Sequence, residues 1–294
     1  MASSDMPAAS GAAASAAASA VPHAPSASSS TPRHPSHITS KIDVARQSSS
    51  SSRPFWSLEF FPPKTAQGQA NLLTRMARMN AQLGPWWNNV TWGAGGTTRG
   101  RSLELAGRCQ KAEWDSARPL PGLEKLDQTT EAESRETKMM EEAARAQRVL
   151  GTGVALEDPG TVDSCLHLTC TNVDKTSLDE TLFVARQLGI RNILALRGDP
   201  PRGDEYWVAA DARFQRATDL IRYIRQEHGD WFCVGVAGYP EGYCDDLDKD
   251  IDRDVQFLKT KQEAGAEFVI TQLFYDADVF VRWYTKCREA GESL

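Results

Sequence analysis

Short apolar segments alternate with amphipathic segments six times between Ser57 and the end of this 294-residue chain. Segments such as NILAL and FVIT are apolar on both faces, which is typical of parallel strands that helices cover on both sides. The predicted strands are 57–61, 88–93, 164–170, 192–198, 233–240 and 268–275. Regular alternation of this kind indicates an α/β fold built around a parallel sheet.

The amphipathic segments between the strands have helical periodicity. Leu72, Leu73, Met76, Met79 and Leu83 recur at a spacing that places them on one helix face. A later segment has serine and glutamate three residues apart, at 177 and 180, and this spacing predicts a capping box that starts a helix at the serine. The glycine at 229 is a typical stop for the helix before it.

Two α/β architectures remain after one motif is excluded. No G-x-G-x-x-G sequence follows the first predicted strand, so the dinucleotide-binding fingerprint is missing. The sequence therefore predicts an α/β (β/α)8 TIM barrel, with only about six of the eight strand–helix units in this chain. A flavodoxin-like open sheet is the alternative.

The N-terminal segment differs in composition from the rest. Of the first 52 residues, 29 are Ser or Ala, and so few large apolar side chains cannot offset the entropy lost on ordering. We expect residues 1–36 to be a disordered tail and 37–294 to form the catalytic domain. KIDVARQ, residues 41–47, is predicted to be a short helix leading into it, and 113–161 reads as an insertion in the domain.

Charge and apolar runs exclude two classes of partner. The net charge is −6, and residues 53–294 carry −7 because the first 52 contain three basic and two acidic residues. An acidic domain disfavours nucleic-acid binding. No apolar run approaches the roughly 20 residues of a membrane span, and we expect a cytoplasmic protein. The six cysteines have no metal-site spacing, so no metal site is predicted, and buried reduced thiols are expected.

Polar side chains stand near the C-terminal end of every predicted strand, where a (β/α)8 barrel places its active site. They are Glu59, Thr91, Trp92, His167, Thr169, Cys170, Arg197, Asp199, Tyr239, Thr271 and Gln272. A threonine or histidine in a strand is ordinary by itself. Glu59 is harder to explain, because a buried carboxylate is costly unless it is paired or neutralised. Together these residues predict a functional pocket.

Six segments closely resemble methylenetetrahydrofolate reductase in their order and spacing. They are SLEFFPPKTAQG, NVTWGAGGTT, LHLTC, NILALRGDPP, VAGYPEG and AGAEFVITQLFYD. The resemblance covers about Lys41 to the C terminus apart from the insertion, and WGAGGTT and the Ser-rich tail resemble eukaryotic members more than bacterial ones. The family implies a (β/α)8 barrel that carries FAD. Its reaction reduces 5,10-methylenetetrahydrofolate to 5-methyltetrahydrofolate with NADPH or NADH, in a ping-pong sequence.

The resemblance also implies roles for individual residues. Glu59 matches the general acid, which protonates the nitrogen that departs when the folate ring opens, and its apolar neighbours should raise its pKa. Asp199 matches the acid beside the flavin and the folate, and Gln272 matches a contact to folate and nicotinamide. Flavin-binding positions correspond to Thr91, Trp92, Ala94, His167, Arg197, Gly198, Asp199, Ala237, Tyr239, Asp254 and Lys261.

The chain departs from the family pattern in several places. Arg216, Tyr243, Phe257 and Thr260 replace the usual residues around the distal half of the flavin. The last two strands and a C-terminal regulatory domain are not in these 294 residues. We expect this form to aggregate through open sheet edges, to hold FAD weakly and to lack activity. The full-length family form suggests a homo-oligomer.

Two other functions remain open on the sequence. One is a different flavin or folate barrel enzyme, which would bind flavin without reducing methylenetetrahydrofolate. The other is a non-enzymatic remnant that associates with a full-length partner, and such a protein would be colourless after purification, whereas a protein that retains FAD is yellow.

Overall fold

A computed structural model describes residues 33–47, 54–92, 98–115, 118, 120, 123, 162–200, 203, 205–243 and 250–291. Several sequence predictions lie outside these residues. They concern the tail up to residue 32, most of the 113–161 insertion, Ala94 and Cys244. Residues 34–36, which we assigned to the tail, are described and lead through a turn into the first helix.

The sheet consists of six parallel strands in sequential order. The strands are β1 (Leu58–Phe60), β2 (Trp87–Val90), β3 (Asp163–Thr169), β4 (Asn192–Leu196), β5 (Cys233–Gly238) and β6 (Phe268–Thr271). Each strand pairs in parallel with the next along the chain. A flavodoxin-like sheet would reverse its strand order, so that alternative is wrong. The sheet is a curled half-barrel, which confirms the predicted partial (β/α)8 architecture.

Seven helices accompany the sheet within the described residues. They are α1 (Ile38–Gln47), α2 (Ala66–Leu83), α3 (Arg99–Lys111), α4 (Lys175–Gln187), α5 (Ala217–His228), α6 (Ile251–Glu263) and α7 (Ala277–Glu289). The predicted N-cap of α4 at Ser177 is wrong. The Asp174 side chain accepts the Ser177 backbone N–H instead, so this helix begins at Lys175. Gly229 caps the C-terminus of α5, as predicted.

The strands end one to four residues earlier than their polar C-terminal segments suggested. The largest difference is at β6, which was predicted to reach Tyr275 and ends at Thr271. The Gln272 N–H still bonds to the Gly238 carbonyl, at 2.7 Å. Because β5 ends at Gly238, the residues beyond 272 have no strand to pair with on that side.

The two faces of the sheet pack against different partners. Val90, Leu168 and Val236 belong to a large core shared with the helices. A smaller cluster that includes Leu194 and Phe268 fills the concave face. The Phe268 ring lies where Gly235 has no side chain, since a Cβ on that glycine would be 2.2 Å from the ring. The sheet therefore has apolar cover on both sides, as the sequence predicted.

Helix α1 covers the amino-terminal ends of the strands and confirms the predicted short helix. Asn192, the first residue of β4, accepts the Ile38 N–H at 2.8 Å and donates to the Ser36 carbonyl at 2.9 Å. The Lys41 ammonium lies 2.7 Å from the carboxylate of Asp163, the first residue of β3. With this end covered, the opposite end of the half-barrel remains for a ligand.

The five cysteines in the described residues are buried and reduced. This agrees with the predicted packing role of Cys109, Cys165, Cys170, Cys233 and Cys287. None of the helices in the described part of the chain has the length and apolar character needed to cross a membrane.

Candidate active site

Glu59 and His167 lie together on the concave face. Glu59 is in register with Asn89 of β2, and the next strand, β3, carries His167. The His167 Nδ1 is 3.7 Å from the Glu59 Oε1, which is longer than a hydrogen bond. Burial lowers the pKa of His167 to about 4. The contact therefore joins a neutral imidazole to a carboxyl group at neutral pH, although its distance would admit an ion pair.

Glu59 has a raised pKa, but for a different reason from the one the sequence suggested. Leu58 and Phe60 belong to the helix-side core, because successive residues of a strand face opposite sides. Phe61 is largely exposed. The predicted role of these apolar neighbours is therefore wrong. Partial burial on the concave face raises the pKa of Glu59, whose side chain is still 48% exposed.

Two polar atoms of β3 lack hydrogen-bond partners. The Nε2 of His167 and the Oγ1 of Thr169 are buried, and neither finds a partner among the described residues. Buried polar groups in native proteins are nearly always satisfied. Both side chains lie on the concave side of β3, and His167 is the one in contact with Glu59, so a polar ligand on this face would supply the missing partners.

The loop after β4 presents Arg197 and Asp199. Gly198 between them has a φ of 89°, and a Cβ there would lie 2.3 Å from the Thr171 Oγ1. The Thr171 hydroxyl lies 3.0 Å from the Asp199 carbonyl. Sequence reasoning missed Thr171, although it follows the two predicted residues Thr169 and Cys170. Gly198 is thus required by the backbone geometry of this loop.

Aromatic rings surround the basic side chains of the site. The Arg197 guanidinium lies 5.6 Å from the ring centre of Trp207 and 5.5 Å from that of Tyr243. Tyr243 packs edge-on against Tyr239, with ring centres 4.8 Å apart. These separations suit cation–π and edge-to-face contacts. The sequence did not indicate Trp207, which lies in a polar loop far from any predicted strand.

Asp254 and Lys261 of α6 bind protein groups at the C-terminal end of β5. Asp254 accepts from the Tyr239 N–H at 3.2 Å and from the Trp283 Nε1–H at 3.1 Å. The Lys261 ammonium donates to the Ala237 carbonyl at 2.8 Å. Burial raises the pKa of Asp254 and lowers that of Lys261, while their mutual attraction opposes both shifts. These two residues therefore join β5, α6 and α7.

Comparison with known proteins identifies the family. The family model described as methylenetetrahydrofolate reductase matches residues 44–117 and 123–294. The chain belongs to this family. It is 40% identical over 233 residues to methylenetetrahydrofolate reductase 2 of Schizosaccharomyces pombe, covering 78% of this chain and 29% of the relative. Methylenetetrahydrofolate reductase 2 of Saccharomyces cerevisiae is 39% identical, with 86% of this chain and 34% of the relative covered.

A plant relative matches at a similar length. Methylenetetrahydrofolate reductase (NADH) 1 of Arabidopsis thaliana is 34% identical, covering 85% of this chain and 35% of that protein. The chain thus spans about a third of the length of these curated relatives. The positions that were predicted from the methylenetetrahydrofolate reductase family can therefore be compared with their places in the structure.

The remaining positions predicted from the methylenetetrahydrofolate reductase family take up different surroundings. Gln272 is exposed at the end of β6, on the same edge of the sheet as Asp199 and Tyr239. Thr91 is partly buried after β2, with its Oγ1 3.5 Å from the Phe60 carbonyl. Trp92 packs in the helix-side core. The Trp92 side chain therefore lies on the opposite face of the sheet from Glu59. The backbone is the part of Trp92 that lies nearest the site.

Three departures from the methylenetetrahydrofolate reductase pattern lie on helices. Arg216 precedes α5, and its N–H donates to the Asp219 carboxylate at 2.9 Å. Phe257 is exposed on α6, and the Thr260 hydroxyl donates to the Gln256 carbonyl at 3.0 Å. None of these contacts reaches Glu59 or His167, so the departures leave the acid and its neighbour unchanged.

Proposed function

We propose that this protein is the part of a flavin-dependent methylenetetrahydrofolate reductase that contains the active site. The enzyme reduces 5,10-methylenetetrahydrofolate to 5-methyltetrahydrofolate in one-carbon and methionine metabolism. The electron donor is NADPH or NADH, and the name of the plant relative specifies NADH. Because the chain covers about a third of its relatives, this activity is inferred for the protein from its family and its site.

One observation carries the proposal. A carboxyl group with a raised pKa stands beside a neutral imidazole, and two buried polar atoms of β3, one of them on that imidazole, lack partners among the described residues. The first feature suits a general acid, whose pKa should lie near the working pH. The second suits a large ligand with polar ring atoms. Glu59, His167 and Thr169 thus fit a site where a flavin and a folate meet.

The residues that would hold FAD line the C-terminal edge of β3, β4 and β5. His167 and Thr169 would bond to polar atoms of the ring system, and Arg197 would face an anionic part of the cofactor. Tyr239 would offer an aromatic ring, and Gly198 lets the loop that carries Arg197 pack closely against Thr169 and Thr171. When bound, FAD supplies hydride transfer, from the nicotinamide first and then to the folate, in ping-pong order.

Glu59 is assigned the proton transfer. The folate substrate contains a closed five-membered ring, and opening it to an iminium requires a proton on the departing nitrogen. A carboxyl with a raised pKa keeps that proton to a higher pH than an ordinary glutamate does. Because neutral His167 adds no positive charge nearby, it does not oppose this shift.

Asp199 and Gln272 are assigned to substrate binding. Asp199 is exposed at the site edge, so its carboxylate would face the cationic iminium and stabilise it. Gln272, exposed on the same edge, would contact the folate and the nicotinamide in turn. The predicted cytoplasmic location and homo-oligomer stay predictions.

A titration of the purified apo-protein with FAD tests the proposal. Flavin fluorescence should be quenched by the wild-type sequence. The variant His167→Leu should weaken binding by about tenfold, the effect of one lost hydrogen bond to a ligand. Thr181→Val is the matched control, because the buried Thr181 hydroxyl bonds only within α4, to the Ser177 carbonyl.

Three outcomes would contradict the proposal. A wild-type protein that is colourless after purification and does not bind FAD would favour the non-enzymatic remnant. Equal affinities in His167→Leu and Thr181→Val would place the flavin elsewhere. A form extended by two further strand–helix units that binds FAD but is not reoxidised by methylenetetrahydrofolate would favour a different flavin enzyme.

A further inference from the structure

The loop that presents Arg197 and Asp199 rests on a buried hydroxyl group. Thr171 is 1% exposed, and its hydroxyl lies 3.0 Å from the Asp199 carbonyl and 3.3 Å from the Arg197 carbonyl. The same oxygen accepts the Nε1–H of Trp207 at 2.9 Å. A hydroxyl has one proton to donate, so Thr171 shares it between two carbonyls and accepts from the indole.

The packing at Gly198 leaves little room for another loop conformation. A Cβ at this residue would meet the Thr171 Oγ1 at 2.3 Å and the Thr169 Cβ at 2.8 Å. The loop backbone therefore lies directly against the two threonines. A shift of the loop would break the carbonyl contacts of Thr171 and expose its hydroxyl.

Trp207 contacts both parts of this arrangement. Its Nε1–H bonds to the Thr171 hydroxyl, and its ring centre lies 5.6 Å from the Arg197 guanidinium. The indole is partly buried, in the segment between β4 and α5. The Trp207 side chain therefore contacts both the Thr171 hydroxyl, which bonds to the Asp199 backbone, and the charged group of Arg197.

We propose that Thr171 and Trp207 are positioning residues, which hold the Arg197 guanidinium and the Asp199 carboxylate in fixed relative places at the edge of the site. Neither residue needs to touch substrate or cofactor. The functional meaning of the two charges rests on the proposed function, whereas the fixing of the loop does not.

Three variants separate the contacts. Thr171→Val keeps the size of the side chain and removes every hydrogen bond of the hydroxyl. Thr171→Ser restores the hydroxyl. Trp207→Phe keeps a ring facing Arg197 and removes the Nε1–H. Thr181→Val is the matched control, a buried threonine whose hydroxyl bond to the Ser177 carbonyl, 2.7 Å long, stays within α4.

Native-state trypsin cleavage after Arg197, mapped by mass spectrometry on the 294-residue chain, measures loop opening without any cofactor. Trp207→Phe should be cleaved about fivefold faster than wild type, as one lost hydrogen bond predicts, and Thr171→Val, which loses more than one, should be cleaved faster still. Thr171→Ser and Thr181→Val should match the wild type. Melting curves identify any variant whose whole fold is weakened.

A second readout uses the flavin. Asp199 moves with its backbone, so the flavin midpoint potential should shift in Thr171→Val and return in Thr171→Ser. Equal cleavage of Thr171→Val and Thr181→Val would overturn the positioning role, as would failure of serine to restore the wild-type rate. If Thr171→Val does not fold, Trp207→Phe decides by the same comparison. Faster cleavage in a protein that binds no FAD would refute the proposed function alone.

Discussion

His167 and Glu59 are the two ionisable side chains in contact at the candidate site, and the surroundings of each disfavour its charged form. Burial disfavours the charged form of each group, so it lowers the pKa of the imidazole and raises that of the carboxyl. Both groups are therefore held closer to neutrality than they would be in water. A raised carboxyl pKa is the direction of shift that the proposed proton transfer by Glu59 needs.

This state of His167 predicts a pH-dependent stability. Its pKa is 6.5 in the unfolded chain and about 4 in the fold, so the unfolded state binds the proton first as the pH falls. The free energy of unfolding should therefore decrease between pH 7 and pH 5, by about 2 kcal/mol from this residue. Urea unfolding at the two pH values measures it.

The control is His167→Gln, which removes the titrating group. His34, His37 and His228 also have lowered pKa values and act in the same direction, so only the difference between variant and wild type reports on His167. An identical pH dependence in both proteins would contradict the assignment of a buried neutral imidazole.

At the scale of secondary-structure elements, a buried asparagine makes several of the contacts that attach α1 to the sheet. Asn192 bonds to the Ile38 N–H, to the Ser36 carbonyl and to the Ser164 carbonyl, and none of its side chain is exposed. Because α1 covers the amino-terminal ends of the strands, this contact joins the first helix of the described residues to β4.

Asn192→Ala should therefore loosen α1. We expect a loss of about 2 to 3 kcal/mol in unfolding free energy, since buried partners are left unsatisfied. Trypsin cleavage after Lys41 and Arg46 should accelerate at the same time. Asn80→Ala is the control, because Asn80 is buried and its side chain accepts from Asn88 of β2 at 3.0 Å rather than from α1. Equal acceleration in both variants would mean that α1 is not held by Asn192.

The elements also show what the sequence could predict. The sixfold alternation of strand and helix segments, with strands such as NILAL and FVIT apolar on both faces, was enough to predict the parallel sheet of a partial (β/α)8 barrel. The start of α4 was predicted at Ser177, but the helix is capped three residues earlier by Asp174, whose side chain accepts the Ser177 N–H. The contact of Trp207 with Thr171 was not predictable, because 36 residues separate them along the chain and only the folded loop joins them.

The surroundings of Glu59 were misjudged for a related reason. Sequence neighbours suggested an apolar setting, but strand alternation sends Leu58 and Phe60 to the helix side. What lies beside the carboxyl comes from β2 and β3, which are distant in sequence. A local pattern identified the residue, whereas the cause of its shifted pKa depends on tertiary structure.

At the scale of the whole molecule, the described sheet is open. β1 and β6 lie at its two edges, and apolar side chains near them are exposed, with Leu273 at 69% and Tyr275 at 86%. Unpaired strand edges with exposed apolar groups promote association. Glu59 lies on one of these two edge strands, β1, and its side chain is also partly exposed.

The open edge predicts self-association of the 294-residue chain that grows with concentration. Leu273→Lys combined with Tyr275→Lys should shift the protein towards monomer in sedimentation velocity, because charged side chains oppose edge pairing. Val208→Lys is the matched control, since Val208 is 74% exposed but lies in the loop between β4 and α5. A wild-type protein that stays monomeric at all concentrations would refute this prediction.

The most direct test of the proposed function separates its two half-reactions in Glu59→Gln. Anaerobic stopped-flow would compare this variant with the wild-type sequence, both extended by two further strand–helix units so that the sheet can close. Bleaching of bound FAD by the nicotinamide should be unchanged, because that step needs no proton from Glu59. Reoxidation by methylenetetrahydrofolate should slow by about 100- to 10,000-fold, as expected for lost acid catalysis. Equal slowing of both steps would contradict the account and leave Glu59 with a structural role.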